Sequence, residues 1–558
     1  MQKLCTKQSR KLTFSTAIII AILFIVVSGN PLRSQTYNIV LGRPTDTSIT
    51  VSTMFNQNTD FYIQYGTQVG VYVNNTNTIT NIANIPNHVD LHNLIGDTKY
   101  YYRIQHRPAG TSGSFVATQE YSFRTQRAVG STFKFTLEAD EHLYDKKGVD
   151  NMYKVTLKNQ QADNPDFMLS LGDIFGDDHH PYTISYQFLD SLHAYYRPLL
   201  GDVTSSIPFY VCLGNHEGEK QFYLDSVPPN NMAVWGSLAR KKYYPDPYPN
   251  SFYSGDTLHE GYGIGQPENY YSWTWGNALF VVLDVYRYDC DTSAKPERWA
   301  WTLGQSQYDW LKTTLQNSTS QYKFVFAHHI RGEGRGGITE AKLYEWGGFE
   351  GNGTSYTFST HRPNMAMPIH QLFTTYGVNI FFQGHDHLFA HEVLDNITYQ
   401  EVPMPSDSTY TIGMLANADA YTADTIGGTG HLRVTVSPQC VKVDFVRAYL
   451  PADTVNGIHH NGEIAFSYTL GNCLATGVNE NSPNDEVSVF PNPANNKLTV
   501  KLSDAIQHFQ IDIEDTLGQT LLQSYSKIID ISSIPNGIYF VHVKTEKQDT
   551  NKKVIIIR

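Results

Sequence analysis

Cysteine is scarce in this chain, with five in 558 residues. That excludes a dense disulfide framework and argues against a thiolate or iron–sulfur centre. Charged residues are few as well, at 17%, and the 53 acids outnumber the 41 bases. No cluster of Lys and Arg forms a local basic patch, so binding to a nucleic acid backbone is not expected. Long apolar runs are missing except near the start, where residues 17–27 are uninterrupted. That run falls short of the roughly 20 residues a spanning helix needs. Low-complexity tracts and solenoid-type repeats are absent too.

The lone apolar run follows Lys3, Lys7, Arg10 and Lys11 and precedes Ser28-Gly29 and Ser34. A basic head, a short greasy middle and a small-residue exit describe a secretory signal peptide over residues 1–34, cut before Gln35. No cysteine follows the run to carry a lipid anchor, and no stable membrane span is expected after cleavage. Cleavage leaves 36 basic against 53 acidic side chains, a net charge of −17. It removes Cys5 and leaves Cys212, Cys290, Cys440 and Cys473. Cys212 sits in an apolar strand and reads as a buried thiol, whereas Cys440 and Cys473 are candidates for a bridge. What is abundant is aromatic: 13% of residues, including 37 tyrosines, as suits β-rich exported proteins.

The length fits three or four domains. Residues 36–126 read as short strands at 37–41, 48–54, 61–65, 100–105 and 121–125, a β-sandwich. Residues 133–470 alternate strands with helical segments at 186–196, 305–315 and 368–376, which predicts a layered α/β domain. In it, 432–436 and 441–447 form a hairpin expected to close the second sheet. Residues 220–269 and 331–363 are long insertions rich in Gly, Tyr and Pro, expected to form the rim of a pocket. Residues 479–486 make a polar linker, and 487–558 a last small β-sandwich.

The chemistry concentrates in five blocks: Asp140-Glu141-His142, Gly172-Asp173, Gly214-Asn215-His216-Glu217, His328-His329 and Gly384-His385-Asp386-His387. They follow apolar runs at 133–137, 167–171, 209–213, 324–327 and 378–382. Each strand would deliver its side chains at its C-terminal end, where open α/β sheets place their sites. Singly, an Asp-x-His or a Gly-Asp is a common surface turn. Five such blocks in order, each after a buried strand, are not explained by turns. Oxygen and imidazole donors without thiolate suit Zn, Mn or Fe, and their number suits two ions sharing a carboxylate.

This order of blocks resembles the calcineurin-like metallophosphoesterases. With the preceding sandwich, whose Leu94 to Tyr102 corner resembles fibronectin type III domains, the chain is similar to purple acid phosphatases and their bacterial relatives. The resemblance implies an α/β/β/α four-layer central domain. It implies one ion on Asp140, His142, Asp173 and His387 and a second on Asp173, Asn215, His328 and His385, with a bridging hydroxide as nucleophile. His216 would face the substrate as the catalytic residue, oriented by Asp177 or Asp178. His329, Arg331 and Arg335 are further candidates for contact with substrate, and His179 and His180 for support behind it, although a solvated loop would also account for the arginines and these two histidines. Purple acid phosphatases carry a tyrosine three residues after the bridging aspartate, where this chain has Gly176, so a purple ferric centre is not expected.

Residues 487–558, with Pro491-Asn492-Pro493 and Pro535-Asn536-Gly537-Ile538-Tyr539-Phe540, resemble the type A sorting domain of the type IX secretion system. That implies export through the periplasm to the surface or medium, with the secretion machinery as partner. The expected activity is hydrolysis of a small phosphorylated substrate, a monoester before a diester. The alternatives are a phosphodiesterase or nuclease of the same fold, opposed by the charge, and an inactive surface-binding module.

Overall fold

The computed structural model describes residues 36–220, 223, 227, 229–288, 298–330, 335–412, 420–421, 424–455, 457–473, 487–502, 508–515, 519–545 and 549–558. The expected leader, the linker, Cys290 and Arg331 lie outside the described residues.

The N-terminal strands form two antiparallel sheets. One has the order Tyr37–Gly42, Ile49–Phe55, Asn87–Leu91; the other is centred on Thr59–Gly66 and Lys99–Pro108. Along Lys99–Pro108 buried and half-buried residues alternate, the two-residue period of a strand with one face in a core. That face brings Tyr100, Tyr102 and Ile104 against Ile39, Val51 and Phe61. The Tyr100 hydroxyl accepts the Ile95 N–H at 2.9 Å, closing the Leu94 to Tyr102 corner. Fully buried Arg197 of the helix Tyr186–Thr204 ties this unit to the next, donating to Asn38 Oδ1 at 2.8 Å and to the Ser52 carbonyl at 3.0 Å.

The central region is two sheets packed face to face. The six-stranded sheet runs Phe209–Val211, Phe167–Ser170, Phe133–Glu138, Gly430–Val436, Cys440–Arg447, Ile464–Gly471. The eight-stranded sheet has Ala278–Val282, Tyr322–Phe326, Ile380–Gln383 and Ile397–Glu401 parallel at its centre. Phe135 and Phe167 of one sheet meet Phe280 of the other with ring centroids 5.1 and 5.2 Å apart. Opposite faces carry helices: Asp150–Asp163 and Tyr186–Thr204 behind the first sheet, Gly304–Asn317 and Ile369–Tyr376 behind the second. Central strands are therefore buried on both faces, which is why they read as unbroken apolar runs.

Two expectations need correction. The hairpin Gly430–Val436 with Cys440–Arg447 does not close the second sheet; it pairs antiparallel with Phe133–Glu138 in the first. Its Leu432, Val434 and Val436 complete the core between the sheets. The 220–269 insertion is not a bare loop. It contains the helix Met232–Tyr243, capped by Asn231, whose buried Arg240 holds Glu219 at 2.8 Å and Asp246 at 2.7 Å. Cys440 and Cys473 form the disulfide, and Cys212 is a buried free thiol.

The described part of residues 487–558 forms two small antiparallel sheets around Leu498, Val500, Ile511, Val541 and Val554. No described helix is long and apolar enough to cross a membrane.

Candidate metal centre and active site

The parallel strands of both sheets end at one edge, and the five blocks turn there. These turns are sharp. Asp140, His142, Asp173, His385 and His387 all have positive φ, at 62°, 47°, 60°, 76° and 59°. For residues with a Cβ this region costs about 1–2 kcal/mol each. Such concentrated strain marks a functional site. The convergence of His385 and His387 comes from their own left-handed backbones. Gly384 gives room: a Cβ there would lie 2.6 Å from both Ala139 Cβ and Asp140 Oδ2.

The turns gather the side chains into two groups. In the first, His387 Nε2 lies 2.9 Å from His142 Nε2 and 3.6 Å from Asp140 Oδ1. In the second, His328 Nε2 lies 3.2 Å from both Asp173 Oδ2 and His385 Nδ1. His328 Nε2 is also 3.7 Å from Asp140 Oδ1, so the groups adjoin. Asn215 precedes His216, whose N–H donates to Asp173 Oδ1 at 2.8 Å. All seven expected ligands are buried, none more than 7% exposed.

Neighbours set the ring orientations. His328 Nδ1 donates to the Leu171 carbonyl at 2.8 Å, leaving Nε2 to face the cluster. His142 Nδ1 is engaged by the Tyr144 hydroxyl at 2.8 Å, with the same result. Holding the far nitrogen is how proteins fix a ligating imidazole. The sequence reading missed both Tyr144 and Glu217. The buried Glu217 carboxylate accepts the N–H groups of Gly214, Asp173, Ile174 and Phe175 at 2.6, 3.0, 2.6 and 3.0 Å. It thereby staples the second block to the third. Its place in the Gly-Asn-His-Glu block was the available signal.

His216 lies beside the second group, with Nε2 3.7 Å from Asp173 Oδ2. Its position also permits it to join His142 and Asp173 around an ion. Of the two aspartates offered for it, Asp178 is the partner, with Oδ1 2.7 Å from His216 Nδ1. Buried Lys220 holds the other oxygen of Asp178 at 2.9 Å. Asp177 turns away to His179, whose ring stacks on His216 with centroids 5.0 Å apart. His180 is exposed. His329 is fully buried, its ring 5.1 Å from that of His385. Arg335 is turned to the fifth block, donating to the His385 carbonyl at 2.9 Å.

Burial opposes charge on Asp173, yet His328 and His216 outweigh it and hold the carboxyl well below the usual range. Burial pushes Asp140 up, and the charge on Asp173 adds to this against the pull of His328. Burial also disfavours a charged His216, but Asp173 and Asp178 prevail and push it up to about 9. Among the described residues, Asp140 Oδ1 and Asn215 Oδ1 are buried and accept no hydrogen bond. Leaving such atoms unpaired costs about 1–3 kcal/mol each. Open oxygen lone pairs among imidazole nitrogens, without thiolate, fit hard or borderline cations.

The sequence profile of the calcineurin-like phosphoesterases matches residues 133–389, and that of the secretion system C-terminal sorting domain matches residues 488–557. Among solved structures, PhoD aligns over 78% of this chain and 90% of its own, at 16% identity and a TM-score of 0.55. The purple acid phosphatase PPD1 from yellow lupin (Lupinus luteus) seeds aligns over 78% of this chain and 74% of its own, at 14% identity and a TM-score of 0.51. At these identities the likeness is one of fold. No curated protein sequence gives a match. The family profile covers all five ligand blocks, and the C-terminal profile marks the chain for export by type IX secretion to the surface or beyond. The chain is therefore a metal-dependent phosphoester hydrolase whose central domain belongs to the calcineurin-like phosphoesterase family, joined to a type IX secretion sorting domain.

Proposed function

We propose that this chain is an exported phosphohydrolase that uses two metal ions and prefers phosphate monoesters. The observation that carries the reading is the place of Asp173, whose Oδ2 lies 3.2 Å from His328 Nε2 of the second group and whose carboxylate also comes within reach of one ion with His142 of the first. Asp140, His142, Asp173 and His387 would hold one ion, and Asp173, Asn215, His328 and His385 the other. Zn, Mn and Fe suit these donors. Ions so held supply Lewis acidity towards phosphoryl oxygens and make water acidic near neutral pH.

The protein's own part is positioning. Glu217 fixes the turn that presents Asp173, and Asp178 fixes the ring of His216. From there His216 would donate to a phosphoryl oxygen or to the leaving group. A net charge of −17 without its leader favours a small ester over a polyanion. Like the preference for monoesters, passage through the periplasm and release to the surface or medium is part of this reading.

Turnover of a nitrophenyl monoester, a bis-nitrophenyl diester and single-stranded DNA, measured side by side on metal-loaded protein, tests it. A monoester rate well above the other two is expected. A higher diester or DNA rate would refute the preference, and no turnover at all would point to a surface-binding module.

A further inference from the structure

The turn carrying His385 and His387 is strained at both histidines, with φ of 76° and 59°, so its surroundings must hold it in place. Between them sits Asp386, fully buried. Its Oδ1 accepts from Arg335 Nη1 at 2.9 Å. Its Oδ2 accepts from the Gly336 N–H at 2.8 Å and from the Tyr421 hydroxyl at 2.6 Å. Its own N–H donates to Glu401 Oε1 at 3.2 Å, where the strand Ile397–Glu401 ends. Arg335 Nη1 also donates to the carbonyl of His385, so one guanidinium grips both the turn and its central side chain. Three separate segments thus close on one residue, and its carboxylate is engaged by donors from two of them.

We propose that Asp386, clasped by Arg335 and Tyr421, is a positioning residue that sets His385 and His387 for their ions, so that the insertion containing Arg335 governs metal affinity. This rests on the metal reading above. Outer partners of this kind alter metal affinity by about 10–100-fold when removed. The clasp is also a route by which the 335–363 segment, on the expected pocket rim, reaches the metal ligands.

The test uses the mature full-length protein. Tyr421→Phe removes one hydroxyl, and Arg335→Ala removes a side chain already 36% exposed, so both should fold. Zinc(II) affinity is measured by competition with a chromogenic chelator, alongside the Tm of metal-free protein and kcat and KM at saturating zinc. Each variant should bind zinc about 10–100-fold more weakly. Metal-free Tm should hold within a few degrees, and kcat should return at saturating zinc. Arg335→Lys should recover part of the loss. The double variant should lose less than the product of the two single losses, because both act on Asp386. Affinity within twofold of wild type in both single variants would overturn the proposal, as would losses that merely follow the metal-free Tm. Should the wild type itself bind no zinc beyond what Asp173→Ala binds, the metal reading fails, and the clasp with it.

Discussion

Asp178 Oδ1 lies 2.7 Å from Nδ1 of His216, while Nε2 on the other side of the ring is 3.7 Å from Asp173 Oδ2. One carboxylate therefore holds the ring and the other marks the metal side. Replacing Asp178 with Asn keeps the shape but removes the charge. It should lower kcat by less than the about 10²–10⁴-fold expected from losing the His216 imidazole itself. Steady-state kinetics and metal analysis check it: an unchanged kcat, or a loss of bound ions, would contradict the assignment.

His216→Ala separates catalysis from metal holding. Metal content and Tm should stay near wild type while kcat falls by about 10²–10⁴-fold. An alkyl phosphate should suffer more than a nitrophenyl ester, whose leaving group departs unprotonated. Equal losses would favour charge stabilisation over proton donation. Loss of an ion would make His216 a ligand, which its distance to Asp173 also permits.

Asp173→Ala should empty both positions, because its carboxylate adjoins both groups. Elemental analysis should show most of the metal gone and turnover abolished. Two ions retained at full occupancy would refute the bridge.

Gly176 lies against the third block: a Cβ there would sit 1.8 Å from the His216 carbonyl oxygen and 2.4 Å from Glu217 Cα. No side chain fits without backbone movement. Gly176→Ala should therefore cost about 1–3 kcal/mol of stability, read as a lowered Tm. For the same reason a tyrosinate cannot reach an ion from this position. Iron-loaded protein should lack an intense visible charge-transfer band, and a purple preparation would show that another tyrosine has reached the metal.

A chain ending at Asp485 lacks the sorting domain but keeps every proposed ligand. It should be active and retained in the periplasm. Its normal appearance in the medium would exclude the sorting domain as the export signal.

Much of this was legible in the sequence because it depends on local pattern. Runs such as 324–327 announced central strands, since a strand covered on both faces has no polar side to alternate. The tyrosine corner at Tyr100 and the bridge between Cys440 and Cys473 were likewise open to a reading of residue type and spacing. The helices Asp150–Asp163 and Met232–Tyr243 were not, for both have weakly apolar faces and the second lies within an insertion rich in turn formers. The destination of the 430–447 hairpin was hidden too, because pairing with Phe133–Glu138 spans some three hundred residues and leaves no local trace.

Residue order alone sets which donors are present, how they follow one another, and that each ends a buried strand. Those are matters of side-chain chemistry and hydrophobic period. Tertiary structure decided that Asp178 rather than Asp177 supports His216, that Arg335 grips Asp386, and that Gly176 admits no side chain. It also decided which nitrogen His328 and His142 turn inward, through Leu171 and Tyr144. These depend on distances between segments far apart in the chain. They exist only once two sheets pack face to face and bring the five blocks to one edge.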